Sequence, residues 1–262
     1  MSAGSPARFS IAIASGKGGV GKSTVALNLA ASLAQRGHRV GLLDADLYGP
    51  DVPRMIGLAR TKDAKHLDLW RADAEKIEPL ERFGVKIMSV GFLVGEGQSI
   101  SLDAGLVDLL LVRLTQGVEW GELDYLFVDL PPGTADLQQK LMIRLQLAGA
   151  IVVVTPQDVA HLDARKVLDL CKRSNVKVLG GIENMDGLTC PDCDARIDVF
   201  PRVAHQRSIW NAGVERIGGI PMDPAIAASG ENGTPIVLSS PDSALAAAFT
   251  GVADRVTAVL SA

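Results

Sequence analysis

The sequence predicts an α/β fold, a mostly parallel sheet with helices on both faces, and three observations predict it. Short apolar runs alternate with helix-period segments along the 262-residue chain. The runs are continuously apolar rather than alternating, which is the mark of strands buried on both faces, as parallel strands are. The first run leads into a glycine-rich loop that opens directly into a helix, a strand–loop–helix unit of the kind that founds such sheets. With 47% hydrophobic and 21% charged residues, the composition suits one large domain with a sizeable core.

The elements follow in order. Met1 to Arg8 is a short polar tail, expected to be flexible, and residues 9–262 are expected to form one domain. Phe9 to Ala14 reads as a buried strand. Ser23 to Gln35 reads as a helix carrying Val25, Leu27, Leu29, Ala30 and Leu33 at helical spacing. His38 to Asp44 is a strand ending in acid. Leu47 to Glu81 is mixed, with prolines and a charged stretch from Arg60 to Lys76, and reads as loops, short helices and an edge strand. Val85 to Val90 is a strand, and Gly91 to Ser101 a glycine-rich loop. Asp103 to Gln116 is a helix with Asp103 as its cap. Leu123 to Asp129 is a buried strand, again ending in acid. Asp136 to Leu147 is a helix, Ala150 to Val154 a strand, Val159 to Arg173 a helix and Val176 to Ile182 a strand. The last helix, about Asp242 to Leu260, places Leu245, Phe249, Val252, Val256 and Val259 on one face for docking on the core.

The net charge of −4 implies no broad basic surface, so nucleic acid is not an expected partner. No apolar stretch is read as long enough for a membrane span, since Leu141 to Pro156 is broken by Arg144 and Gln146. No secretory signal is read, and three cysteines do not make a disulfide framework, so the cytoplasm is the expected compartment.

The chemistry concentrates at Gly16-Lys17-Gly18-Gly19-Val20-Gly21-Lys22-Ser23-Thr24, which fits G-x-x-x-x-G-K-[ST]. The glycines let the backbone curl so that successive N–H groups face one concavity. The helix N-terminus adds partial positive charge, and Lys22 a full one. Together they suit a polyphosphate, with the Ser23 hydroxyl as a ligand for its Mg²⁺. Lys17 is an additional lysine at the start of the loop. It reads either as a solvated charge or as a side chain reaching a second nucleotide across a dimer.

In open parallel sheets, ligands bind beyond the carboxyl ends of the strands, where Asp44, Asp46 and Asp129 lie. A lone strand-end aspartate is ordinarily a turn or helix cap. Beside a phosphate loop, Asp129 suits the Mg²⁺ shell, Asp46 suits the attacking water and Asp44 suits metal support. Gly133, in Leu130-Pro131-Pro132-Gly133-Thr134, lets a backbone N–H approach a terminal phosphate and sense it. Asn184, with Pro221 and Asp223 in a later turn, forms a candidate base site; two ordinary turns explain the same pattern.

Cys190-Pro191-Asp192-Cys193 is the other chemical signal. Its two thiols are half a metal site, a redox pair or incidental. A two-fold dimer would gather four thiolates, which suits a shared [4Fe–4S] cluster or Zn²⁺. Cys171 sits in a helix and reads as core, and His205 reads as an exposed loop histidine rather than an added ligand.

These stretches together resemble the Mrp/Nbp35 family of iron–sulfur carrier ATPases, within the deviant-Walker-A group that also holds nitrogenase iron protein and the Min and Par ATPases. The matching segments are Gly16–Thr24, Gly41–Pro53, Leu123–Gly133, Val152–Gln157, Leu179–Met185, Cys190–Cys193 and Ile220–Pro224. The Tyr48-Gly49-Pro50 turn and the cysteine pair separate this type from the Min and Par types, which stand as the alternative: positioning or partition ATPases without a cluster. The resemblance implies a P-loop NTPase fold, a homodimer with slow ATP hydrolysis, and a [4Fe–4S] cluster bridging subunits through Cys190 and Cys193 for delivery to apo-proteins. It implies that Lys17 contacts nucleotide across the dimer, that Lys22 and Ser23 hold phosphate and Mg²⁺, and that Asn184 meets adenine. The chain departs from the family pattern at Ser101–Gly105, at Phe200–His205, and at Asp194, where glycine often follows the second cysteine.

Overall fold

In a computed structural model that describes residues 6–58, 76–92, 103–133 and 135–261, the first apolar run forms β1 (Ala7–Ala14), an inner strand of an eight-stranded sheet. The charged stretch Arg60 to Lys76, most of the loop Gly91 to Ser101, Thr134 and the start of the tail lie wholly or largely outside the described residues. The other strands of this sheet are β2 (Val40–Asp44), β3 (Leu80–Arg82), β4 (Val85–Ser89), β5 (Leu123–Asp129), β6 (Gly149–Val154), β7 (Val178–Asn184) and, after a separate hairpin of β8 (Leu188–Thr189) and β9 (Arg196–Ile197), β10 (Arg216–Ile220). Their order is β10-β7-β6-β1-β5-β2-β4-β3, parallel except for the antiparallel edge pair β3–β4. The helices are α1 (Lys22–Ala34), α2 (Val52–Met55), α3 (Ala104–Gln116), α4 (Ala135–Arg144), α5 (Asp158–Arg173), α6 (Pro224–Glu231), α7 (Ile236–Ser239) and α8 (Ala244–Ser261).

Side-chain alternation along the central strands divides the interior into two cores. Ile11, Ile13, Phe127, Ile151 and Val153 pack with Leu27 of α1 and Phe249 of α8. Ala12, Ala14, Val128, Val152 and Val154 pack with Leu111 of α3 and Leu170 of α5. Both faces of the sheet are therefore covered, as the continuous apolar runs imply.

Three differences from the expected elements have physical causes. β1 starts at Ala7, because Ala7 pairs with Leu123 of β5 and the Arg8 guanidinium rests over the Phe9 ring. β7 starts at Val178 rather than Val176, because Val176 belongs to the stop signal of α5: Asn175 is left-handed at φ 54°, and the Val176 N–H donates to the Cys171 carbonyl at 2.9 Å. α8, contrary to the reading of apolar runs, is long and apolar enough to cross a membrane by length and composition. It is a packed helix here: Leu245, Phe249, Val252 and Val256 are buried against the core, and Asp254 pairs with Arg36 of the segment after α1.

Candidate functional site

The phosphate loop leaves the carboxyl end of β1 and enters α1 through Gly21, which is left-handed at φ 85°. A side chain at Gly21 would also strike the Asn184 amide, 2.3 Å from the position of a Cβ. Gly16 is required for a second reason: a Cβ there would lie 2.2 Å from the Asp163 backbone, so the loop packs directly on α5. No side chain caps α1 and no acid occupies its first turn, which leaves its N-terminal N–H groups and dipole directed at the loop. Gly18 and Gly19 are exposed, whereas Val20 is buried and anchors the loop. Gly16, Ser23 and Thr24 are half-buried beside them.

The acids meet Lys22 by strand register. Asp44 of β2 is the direct neighbour of Asp129 on β5 and of Ser89 on β4, so three polar residues form a row across the strand ends. Asp44 is fully buried and engaged: Ser89 Oγ donates to it at 2.7 Å and the Asp46 N–H at 3.2 Å. Burial, then the neighbouring Asp129 charge, raises its carboxyl well above the usual carboxylate range. One oxygen of Asp46 accepts from the Tyr48 and Gly49 N–H groups and so shapes the turn at Tyr48.

Asp129 is different. It is fully buried, neither carboxylate oxygen has a hydrogen-bond partner, and its nearest cation is Lys22 Nζ at 3.9 Å. Burial pushes it up to about 6, against the lowering effects of Lys22 and of the nearby Ser23 hydroxyl. An orphaned, buried carboxylate beside a phosphate loop is a fitting partner for a divalent cation.

The pH dependence follows. A metal held by Asp129 would compete with its proton, so Mg²⁺-dependent nucleotide affinity is expected to be level above pH 6 and to fall by up to about tenfold per unit below it. In metal-free protein the sign reverses. The folded state holds a proton that the unfolded state releases near its ordinary value of about 4, so stability declines as pH rises from about 4 to 6. Calorimetric titrations and thermal melts across pH 4 to 8 measure both.

Other contacts brace the loop and were not foreseen. Gln138 of α4, buried, donates to the Pro131 carbonyl at 2.6 Å and to the Ser15 carbonyl at 3.3 Å, tying the Pro131–Gly133 segment to the phosphate loop. Gly133, exposed and left-handed at φ 57°, faces the Gly16 carbonyl. Lys17 is half-buried and donates to Gln157 Oε1 at 3.2 Å, just before α5.

On the far side of Gly21 lies a cavity of about 590 Å³, lined among others by Thr24, Met55, Asn184, Pro221 and Ile226. Asn184 ends β7, and its amide donates to the Val20 carbonyl at 2.8 Å. Asp223 lines the cavity and also caps α6 by accepting from the Ala225 N–H at 2.7 Å. Asp223 thus has the ordinary capping role that such a turn supplies. Arg54 of α2 and Glu231 of α6 pair at 2.6 Å and line the cavity too.

Cys190 and Cys193 sit at the tip of the β8–β9 hairpin, Cys193 exposed and Cys190 partly so; with Cys171 they are free thiols. The turn closes through Cys190 N–H to the Ala195 carbonyl at 2.9 Å and Asp194 N–H to the Cys190 carbonyl at 3.0 Å. Asp194 adopts φ 57°, the left-handed conformation that a glycine takes without strain and that aspartate tolerates. Backbone N–H groups of Asp192 and Cys193, and then the Cys193 side chain, hold the Cys190 thiol below its usual range. No group of three or more metal-ligating side chains occurs among the described residues, and His205 lies exposed in a separate turn. Burial pushes the Cys171 thiol up to about 11, an inert core position.

The hairpin is fastened by charge. Asp186, just beyond Asn184, accepts from Arg196 on β9, from Arg202 and from Arg216 on β10. Buried Glu183 takes Arg216 at 2.7 Å and Arg202 at 3.4 Å. Burial raises the Asp186 carboxyl, but the guanidiniums of Arg202 and Arg196 outweigh it and hold it below the usual range.

Comparison with known proteins places this arrangement. A family model described as NUBPL iron-transfer P-loop NTPase matches residues 7–257. The iron-sulfur cluster carrier protein of Aquifex aeolicus is 43% identical over 246 residues, covering 93% of this chain, and this chain spans 65% of that protein's length. A nucleotide-binding protein from Archaeoglobus fulgidus, solved in complex with ADP, superposes with a TM-score of 0.73 at 34% identity, covering 90% of each chain. The cell division ATPase MinD of Pyrococcus furiosus shares the fold, with a TM-score of 0.71 at 24% identity over 96% of this chain and 99% of that one.

Proposed function

The chain belongs to the NUBPL iron-transfer P-loop NTPase family, and on that premise we propose that it is an ATP-binding and ATP-hydrolysing carrier that passes a [4Fe–4S] cluster to apo-proteins. One observation carries the reading: an orphaned buried carboxylate at a phosphate loop and a paired-thiol hairpin are joined through the end of a single strand, β7. The Min/Par-like alternative has likeness of fold behind it and leaves the thiols unexplained.

Residues Gly16 to Thr24 bind the phosphates through backbone N–H groups, with Lys22 supplying the countercharge. Ser23 and Asp129 would hold the Mg²⁺, whose chemistry is to neutralise charge on the transferred phosphoryl group. Asp46 has one carboxylate oxygen outside its turn contacts and orients the attacking water. Asp44, with Ser89 and the Asp46 N–H on its two oxygens, positions that loop rather than meeting the metal directly. Gly133 senses the terminal phosphate. Asn184 sits at the mouth of the base cavity with Pro221 and Asp223. Lys17, held by one neutral hydrogen bond, is free to exchange Gln157 for the nucleotide of a second copy.

The cluster is cargo. Two thiols per chain make half of its ligand set, so a homodimer holds it, and the recipients are apo iron–sulfur proteins. Free thiols suit a reducing compartment, the cytoplasm. Metal and sulfide analysis of protein prepared and reconstituted without oxygen tests the proposal. About four iron and four sulfide per two chains are expected. Zinc, or no metal at all, in protein that binds ATP overturns the cargo assignment.

A further inference from the structure

The base cavity and the thiol hairpin share a wall. Leu188 and Val199 line the cavity that Gly21, Thr24 and Asn184 also line. Leu188 opens β8, two residues before Cys190, and Val199 follows β9 by two residues, so both stems of the hairpin end at the cavity. The hairpin has no core of its own. Each strand is two residues long, residues 191–199 are all exposed, and Val199 is 41% exposed. Such a hairpin is marginal without packing from elsewhere. Its polar fastenings are in place: Asp186 holds Arg196 and Arg202, the Met222 N–H donates to the Gly187 carbonyl at 2.7 Å, and the Val203 N–H donates to the Pro156 carbonyl at 2.8 Å. Its apolar stems, by contrast, face open space large enough for a planar aromatic base.

We propose that a nucleotide base seated in this cavity packs on Leu188 and Val199 and thereby fixes the hairpin that presents Cys190 and Cys193. This rests on the ATP-binding reading above and adds a route: the nucleotide reaches the thiols through its base, which ATP and ADP share, and not through the terminal phosphate alone. Leu188 and Val199 are then positioning residues for the thiol pair.

The test follows alkylation of Cys190 and Cys193 by iodoacetamide, read by mass spectrometry, in the reduced, metal-free full chain with Mg²⁺ present. Three arms are compared: no ligand, ADP, and inorganic tripolyphosphate, which fills a phosphate loop but has no base, each ligand at a concentration shown by calorimetry to saturate. Buried Cys171 is the internal reporter of unfolding. ADP is expected to slow alkylation of the pair about fivefold, the response of a locally opening segment to one added apolar contact, and tripolyphosphate to leave it unchanged. In the Leu188→Ala, Val199→Ala double variant, assayed at ADP concentrations that saturate it, protection is expected to disappear. Equal protection by tripolyphosphate, or bound ADP without protection, overturns the proposal while leaving ATP binding intact. Should the variant unfold, with Cys171 becoming reactive, the comparison of ADP with tripolyphosphate on the unaltered chain decides alone. A chain that takes up no ADP overturns the ATP-binding reading itself, and this inference with it.

Discussion

Lys22→Ala is expected to weaken ATP binding at least a hundredfold, about 3 kcal/mol, because it removes a charge-assisted contact made by a nearly buried ammonium. Lys22 is 7% exposed, and its ammonium lies 3.9 Å from the orphaned Asp129 carboxylate. In the empty site it offsets that buried charge, and in the filled site it offsets the phosphates. The variant is nevertheless expected to fold. Without Lys22, the Asp129 carboxyl loses the larger of the effects that lower it and takes up a proton at still higher pH, so a neutral acid replaces the ion pair. Thermal melts of the metal-free variant should therefore decline with pH over a window that starts near the same pH of about 4 and extends higher than in the parent, while circular dichroism stays unchanged. Titration calorimetry in Mg²⁺ buffer gives the affinity. Retained binding within about threefold would remove Lys22 from the phosphate site, since a lost charge-assisted contact costs more than that. Lys17→Ala is the informative contrast. That lysine is half-buried on a neutral amide partner, so single-chain nucleotide binding should change little, and any loss should appear in hydrolysis by the proposed dimer.

The parts of the site that are contiguous in sequence were legible there. Residues 16–24 carry their own geometry, because the turn, the dipole and the lysine are all local. Asp103 was readable as a cap for the same reason, and its carboxylate does accept from the Leu106 N–H at 2.8 Å. The span of β5 follows from one apolar run closed by an acid. What escaped the sequence reading depends on which strands become neighbours. Ser89 meets Asp44 only because β4 pairs with β2 in register, and nothing near either residue announces the other. Gln138 and Gln157 look like ordinary helix and loop amides until α4 and α5 bring them to the phosphate loop. The arginines that fasten Asp186 come from β9, from the loop after it and from β10, so their convergence is a product of topology. Asp194 looked like a departure from pattern. Its backbone is left-handed, a conformation open to both glycine and aspartate, so the residue suits the turn it occupies.

The other large effect is expected from Cys193→Ser. A four-iron cluster needs four protein ligands, and each chain offers the Cys190 and Cys193 pair with no third metal-ligating side chain grouped beside it among the described residues. On the proposed function two chains complete the set, and the substitution removes half of it, because a serine hydroxyl is a far weaker ligand than a thiolate. Bound iron and sulfide are expected to fall by about tenfold or more after reconstitution, together with the cluster's visible absorption. Any dimer that the cluster alone holds together should dissociate, as light scattering would record. ATP affinity should hold steady, since neither cysteine lines the base cavity or belongs to the phosphate loop. Cys190→Ser should do the same through a different thiol, the one whose proton the backbone amides of Asp192 and Cys193 already weaken. Cys171→Ser, on the buried face of α5, should leave iron and sulfide untouched and cost only stability. A Cys193→Ser protein that keeps its full iron and sulfide content would place the ligands elsewhere and sever the hairpin from the carrier role, while the nucleotide site stood unchanged.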